Sequence, residues 1–123
     1  MAAGTANLKC DQGATFDITI NWKDSADNAV DISNYNGRMD VRFAPAKASD
    51  LVISLTQENG RIIRKTPLSA GTFQIKISAA DTADLNAGTY YYDFEAFTSD
   101  DTDPVEVTRL IQGTFTVNAE VTG

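Results

Sequence analysis

The chain has 123 residues, 42% of them hydrophobic, and 17 Asp and Glu outweigh 10 Lys and Arg to leave a formal charge of -7. One domain with an ordinary core fits this length, and a single cysteine, Cys10, excludes an internal disulfide framework. There is no histidine, the commonest general base and metal ligand, and the only small cation cluster is Arg61, Arg64 and Lys65, which speaks against nucleic acid as a partner.

The N-terminal MAAGTANLKC has neither the basic region nor the apolar run of a signal peptide. No segment approaches the roughly 20 apolar residues of a membrane span, so a cytoplasmic origin without a membrane partner is expected. Asn7 to Asp11 is expected to add a short edge strand. Gly13 then turns the chain into a strand in which Phe16, Ile18, Ile20 and Trp22 alternate with Asp17, Thr19 and Asn21. KDSADN, Lys23 to Asn28, is a run of turn formers, and SNYNG, Ser33 to Gly37, reads as a second turn that places Tyr35 in a loop. In RMDVRF, Met39, Val41 and Phe43 face one way. Arg38, Asp40 and Arg42 face the other, as a polar face suited to cross-strand ion pairs. Pro45 ends that strand, Leu51, Ile53 and Leu55 alternate in the next, and QENG, Gln57 to Gly60, predicts a hairpin with Arg61 to Lys65 as its return arm. TFQIKIS turns Phe73, Ile75 and Ile77 inward.

Ser78 and Asp81 form a weak capping box for a short helical turn through Leu85, which Gly88 closes. From Thr89 the chain alternates again, with Tyr90, Tyr92, Phe94 and Ala96 on one face and Tyr91, Asp93 and Glu95 on the other. A helical turn, a glycine and a tyrosine at the head of a strand predict a tyrosine corner, in which a phenol bonds back to upstream backbone; Gly88, Tyr90, Tyr92 and Trp22 define the fold on this reading. Ser99 to Pro104 reads as a polar hairpin tip. In the return strand Val105, Val107, Ile111, Phe115, Val117 and Ala119 share one parity, but Arg109 sits in their row and Leu110 out of it, which predicts a β-bulge near Arg109 to Gly113. Seven to nine strands and one helical turn predict an all-β fold: a single immunoglobulin-like antiparallel β-sandwich over residues 1–123.

Sites are sparse. Asp100, Asp101 and Asp103, with Glu106, form the weak candidate for a Ca²⁺ site, although their spacing matches no EF-hand and a solvated loop explains them as well. Asp24, Asp27 and Asp31 are ordinary turn residues. Cys10 would need a neighbouring base to act as a nucleophile, so a buried small hydrophobe suits it better. A hydrolase would require a deep pocket lined by two carboxylates. With no phosphate loop, paired cysteine or Ser-His-Asp set, a non-enzymatic chain without a cofactor is expected. Tyr35, Tyr91 and Phe97 lie off the expected core face, where they would serve as partner contacts or as sugar platforms in a carbohydrate-binding module.

Four stretches and one tryptophan follow in order: G-x-T-F at Gly13 to Phe16, then Trp22, an N-Y-x-G-R-x-x-V-R strand at Asn34 to Arg42, the corner from Ile77 to Asp93, and the closing strand from Val107 to Thr122, the last two being the pieces that recur together. In this order the chain resembles immunoglobulin-like virion proteins of tailed bacteriophages, among them the N-terminal modules of upper baseplate proteins and related tail and head accessory proteins. The resemblance implies a mechanical connector carried in the virion in several copies, its partners being other virion proteins and copies of itself. It also implies contact through Ala2 to Asp11 (Cys10 and Asp11 included), the tip with Asp101 and Asp103, and the end from Asn118 with Val121, by surface complementarity and strand addition at a sheet edge. Longer baseplate proteins continue into a receptor-binding region, whereas this sequence ends at Gly123, so a stand-alone connector is expected, with a capsid decoration subunit as the alternative.

Overall fold

Alternating apolar residues on successive strands close into two sheets that face each other across one apolar layer. The computed structural model describes residues 4–46, 49–98 and 106–121. In chain order the strands are β1 (Gly4–Thr5), β2 (Leu8–Asp11), β3 (Phe16–Asn21), β4 (Tyr35–Arg42), β5 (Leu51–Thr56), β6 (Ile62–Arg64), β7 (Thr72–Ile77), β8 (Gly88–Thr98) and β9 (Val107–Asn118), with a helical turn α1 (Ala79–Ala83) between β7 and β8. The large sheet runs β1-β9-β8-β4-β5 with β2 also paired to β9, and the small sheet runs β3-β7-β6. In immunoglobulin lettering β3, β7 and β6 stand as B, E and D, and β9, β8 and β4 as G, F and C, with β5 beyond C. The chain is therefore an all-β sandwich, as its alternation implies.

The layer between the sheets is built from the inward rows. Phe73, Ile75, Ile77 and Ile62 of the small sheet meet Met39, Val41, Leu55, Phe94, Ala96, Phe115 and Val117 of the large one, all buried. Two edge-to-face ring pairs cross it, Phe73 on Phe94 with centroids at 5.2 Å and Phe16 on Phe115 at 5.4 Å. Such geometry adds about 1 kcal/mol to each pair beyond the buried area.

The corner forms as expected. The Ser78 hydroxyl caps α1 by accepting from the Asp81 N–H, and the Tyr90 hydroxyl donates to the Asn86 carbonyl at 2.7 Å, just before Gly88 opens β8. Two residues on, the Tyr92 hydroxyl donates to the Ala6 carbonyl at 2.6 Å and fixes the N-terminal segment on the large sheet. Gly113 lies directly beneath, where any Cβ would collide with the same carbonyl. The bulge is also present: Phe94 faces Ile111 while Glu95 faces Arg109, so Leu110 is the extra residue.

The structure corrects several expectations. Gln57 to Gly60 is not a hairpin, because β5 pairs with β4 in one sheet and β6 with β7 in the other. The tight hairpin turn needs positive φ at both central residues; Gly60 has it at 78°, Asn59 does not. Asn59 instead accepts from the Thr56 and Arg61 N–H groups and donates to the Ser54 carbonyl, so the chain crosses between sheets. The antiparallel expectation fails for β1 and β2, which run parallel to β9. β2 has to travel toward the end of the sandwich where Gly13 turns the chain into β3, and β9 finishes at that end, with the Gln12 N–H on the Asn118 carbonyl. Tyr35, Asn36 and Gly37 belong to β4, because the turn is already closed by Asp31 and by the Tyr35 N–H on the Ile32 carbonyl. Phe43 lies past the end of β4 and is 55% exposed, its ring edge-on to Tyr90 at 5.3 Å. Val107 also leaves the core row, because the bulge reverses the parity of the residues before it.

Both tyrosine anchors are open to measurement. Tyr90→Phe is expected to lose about 1 kcal/mol in equilibrium urea unfolding through the lost bond to Asn86. Burial pushes the Tyr92 phenol from 10.0 up to about 12. A folded-state pKa raised in this way contributes stability that is complete below about pH 10 and is lost as pH rises toward 12. The stability gap between wild type and Tyr92→Phe should therefore narrow across that range, and a constant gap would refute the burial of this phenol.

Candidate functional site

The outer face of the large sheet gathers the polar row of each central strand. β4 contributes Arg38, Asp40 and Arg42, and β8 contributes Tyr91, Asp93 and Glu95, because one face of each strand is committed to the core. Arg109 joins them only through the bulge, which brings it opposite Glu95 and out of the apolar row. Arg38 Nε donates to Glu95 Oε1 at 3.0 Å, Arg109 Nε lies 3.3 Å from Asp93 Oδ2, and Arg42 Nη2 lies 3.2 Å from Asp40 Oδ2. The Ser54 hydroxyl donates to Asp40 as well, at 3.1 Å.

These side chains floor an open groove of about 840 Å³, walled on one side by Ala44, Pro45 and Ala46. Arg42 holds that wall by donating to the Ser49 carbonyl at 2.8 Å. Within the groove Asp93 has its carboxyl pushed up by burial first and then by Glu95, with Arg109 pulling the opposite way. At one end the Arg38 guanidinium stands 4.8 Å from the centre of the Phe97 ring, a cation–π contact. Every carboxylate on this floor has a guanidinium partner, an arrangement suited to recognising a polar surface. Acid–base work would instead need a free acid and base aimed at one point. Among the described residues no cluster of three or more Cys, Asp or Glu is placed to hold a metal ion.

The residues singled out from the sequence disperse. Cys10 is 1% exposed, and its thiol is pushed up by burial and then by Asp11, so its side chain is part of the core and not a partner contact. Asp11 is exposed and accepts from Asn118 Nδ2 at 3.1 Å. Tyr35 is no free platform: it packs edge-on against Trp22 at 5.0 Å, and its hydroxyl donates to Glu106 at 3.1 Å. Phe97 lies under Arg38, so of the three rings Tyr91 alone lines the groove. Val121 is 97% exposed. Asp100, Asp101 and Asp103 lie outside the described residues. Asp24 and Asp31 accept backbone N–H groups in their own turns, and Asp27 pairs loosely with Lys23. Two cations of the small cluster serve the fold. Arg61 donates to the Ser54 carbonyl and to Asp81, and Arg64 donates to the carbonyls of Ile32, Ser33 and Tyr35.

Sequence reasoning saw the charges of β4 as cross-strand pairs but missed the groove. Its visible signal was the lone Arg109 in an apolar row; the loop at Pro45 that forms the wall left none. With the geometry in view, no family model matches this chain, and no curated protein matches it in sequence.

The raised Asp93 carboxyl gives a pH signature. Its contribution to stability is present below the ordinary carboxylate range and is lost as pH rises through the folded-state value. Asp93→Asn removes that loss while keeping an oxygen for Arg109. Unfolding measured between pH 3 and pH 7 should therefore show the variant gaining relative to wild type as pH rises, and a gain on acidification would contradict the assignment.

Proposed function

We propose that this chain is a non-enzymatic structural module of a tailed-bacteriophage virion, a connector at the tail, baseplate or fibre attachment that works in several copies by surface contact. What carries this reading is the resemblance of the Ile77 to Asp93 corner and the Val107 to Thr122 closing strand, taken together and in that order, to such proteins. Support comes from the surface as well. The groove is open and its charges neutralise one another, and its Arg38 stacks on the half-buried Phe97, which pairs with the exposed Val107, a combination that suits a broad protein contact.

Electron microscopy of an intact particle tests the reading. Density for the sandwich in tails or baseplates is the expected result, density at symmetry positions of tail-less heads assigns it to capsid decoration instead, and absence from particles overturns both. Tyr91 in the groove leaves one specific opening for a carbohydrate module. A glycan array probed with wild type and Tyr91→Ala is expected to show no binding by either, and glycan binding lost in Tyr91→Ala would replace the connector reading.

A further inference from the structure

The small sheet ends in a strand whose outer side is open. The Trp22 N–H donates to the Gly71 carbonyl at 2.8 Å, and this bond continues the register that runs from Phe16↔Ile77 to Asn21↔Thr72. Alternate residues of an antiparallel strand send their backbone groups to opposite sides. Phe16, Ile18 and Ile20 therefore address β7, and the N–H and C=O groups of Asp17, Thr19 and Asn21 point away from it. β7 agrees from its other side, where Thr72 and Lys76 bond to Lys65 and Arg61 of the β6 segment. Among the described residues no strand pairs with the outer side of β3.

This edge also carries little of the usual protection. At the free edge of β5, side chains of Asn59 and Arg61 occupy the Ser54 carbonyl and the Thr56 N–H. β3 has no proline, no lysine and no break in register, and its single charge, Asp17, is the one edge-protecting device it carries. Its inward residues Ile18 and Ile20 stay half-buried, beside a cleft of about 150 Å³ lined by Gly4, Ile20, Trp22, Leu110 and Ile111.

We infer that two copies of this chain pair β3 to β3, antiparallel about a two-fold axis at Thr19, and so join two small sheets into one. The sequence of the strand is complementary to itself in this register. Thr19 meets Thr19 of the second copy, and Asp17 meets its Asn21. Asn21 Oδ1 already accepts from the Thr72 hydroxyl at 2.7 Å, which leaves Nδ2 to donate across the axis. Asp17 accepts from Gln74 Nε2 at 2.9 Å and keeps lone pairs for that donor. An axis on Asp17 would oppose two carboxylates, and an axis on Asn21 would leave Asp17 beyond the paired strands. With the axis at Thr19, Ile18 covers Ile20 of the second copy and the apolar layer continues. A dimer of two chains at -7 each should tighten as salt is added, since screening relieves their mutual repulsion. The pairing goes beyond the connector reading and does not rest on it.

Sedimentation equilibrium on the full chain tests this. Wild type is expected to show a monomer–dimer equilibrium that salt strengthens. Thr19→Pro should be monomeric, because it removes an outward N–H and leaves the β7 ladder intact. Asn21→Asp opposes two carboxylates at each of two symmetric contacts and should weaken the dimer by about tenfold. Adding Asp17→Asn to it should restore the affinity, a rescue that decides the matter even if Thr19→Pro does not fold. Wild type that stays monomeric up to about 1 mM, a dimer of unchanged affinity in folded Thr19→Pro, or failure of the double variant to recover would each overturn the pairing.

Discussion

A tyrosine that turns its ring into a core must still find a partner for its hydroxyl, since an unmet polar group in that environment costs on the order of 1–3 kcal/mol. β8 carries two such residues on its buried face, and their partners are upstream backbone carbonyls on different segments. Tyr90 reaches Asn86 and so fixes where the loop after α1 delivers the chain into the large sheet. Tyr92 reaches Ala6 and fixes where the N-terminal segment lies along β9. A Cβ at residue 113 would collide with that carbonyl, so the glycine on β9 leaves the room in which the phenol on β8 holds it. The outward row of the same strand, Tyr91, Asp93 and Glu95, inherits its position from these anchors. The groove is thus a consequence of how the core is pinned.

Charge is distributed unevenly over the surface that results. The groove floor holds Arg38, Arg42 and Arg109 against Asp40, Asp93 and Glu95, three of each sign, so the formal -7 of the chain resides elsewhere. Two copies therefore repel least across faces such as this one, and more across the acidic loops. Exposed pairs of this kind contribute little to stability, so the evident effect of the lattice is to neutralise a face and to order its side chains.

What could be read from the sequence divides along a physical line. Alternation is a local signal, and β3, β7 and β8 stand where Phe16, Phe73 and Tyr90 begin their apolar rows. The corner was legible for the same reason, since Ser78, Gly88 and Tyr90 are close in sequence. Sheet membership is not local. Asn59-Gly60 has the composition of a hairpin, yet the chain leaves it for the other sheet, because the amide side chain of Asn59 satisfies the backbone of its own turn and Ile62 finds Ile75 thirteen residues on. The groove was legible in its charges on β4 but not in its shape, which depends on the bulge at Leu110 and on a loop held by Arg42. Cys10 shows the reverse case: a residue near the chain end suggested a contact surface, while pairing of β2 with β9 places it inside.

The parallel course of β2 and β9 also sets how the molecule bears a load. β2 runs from Leu8 to Asp11 alongside Phe115 to Asn118, in the same direction. A pull applied to Gly4 from one side and to Asn118 from the other therefore acts along the strands, at opposite ends of the paired segment. The bonds of the ladder are then strained together in shear, rather than opened one after another as in a zipper pulled from one end. Rupture requires the whole segment, with the Tyr92 to Ala6 bond beside it, to give way at once. A load between these two points is therefore shared across the ladder.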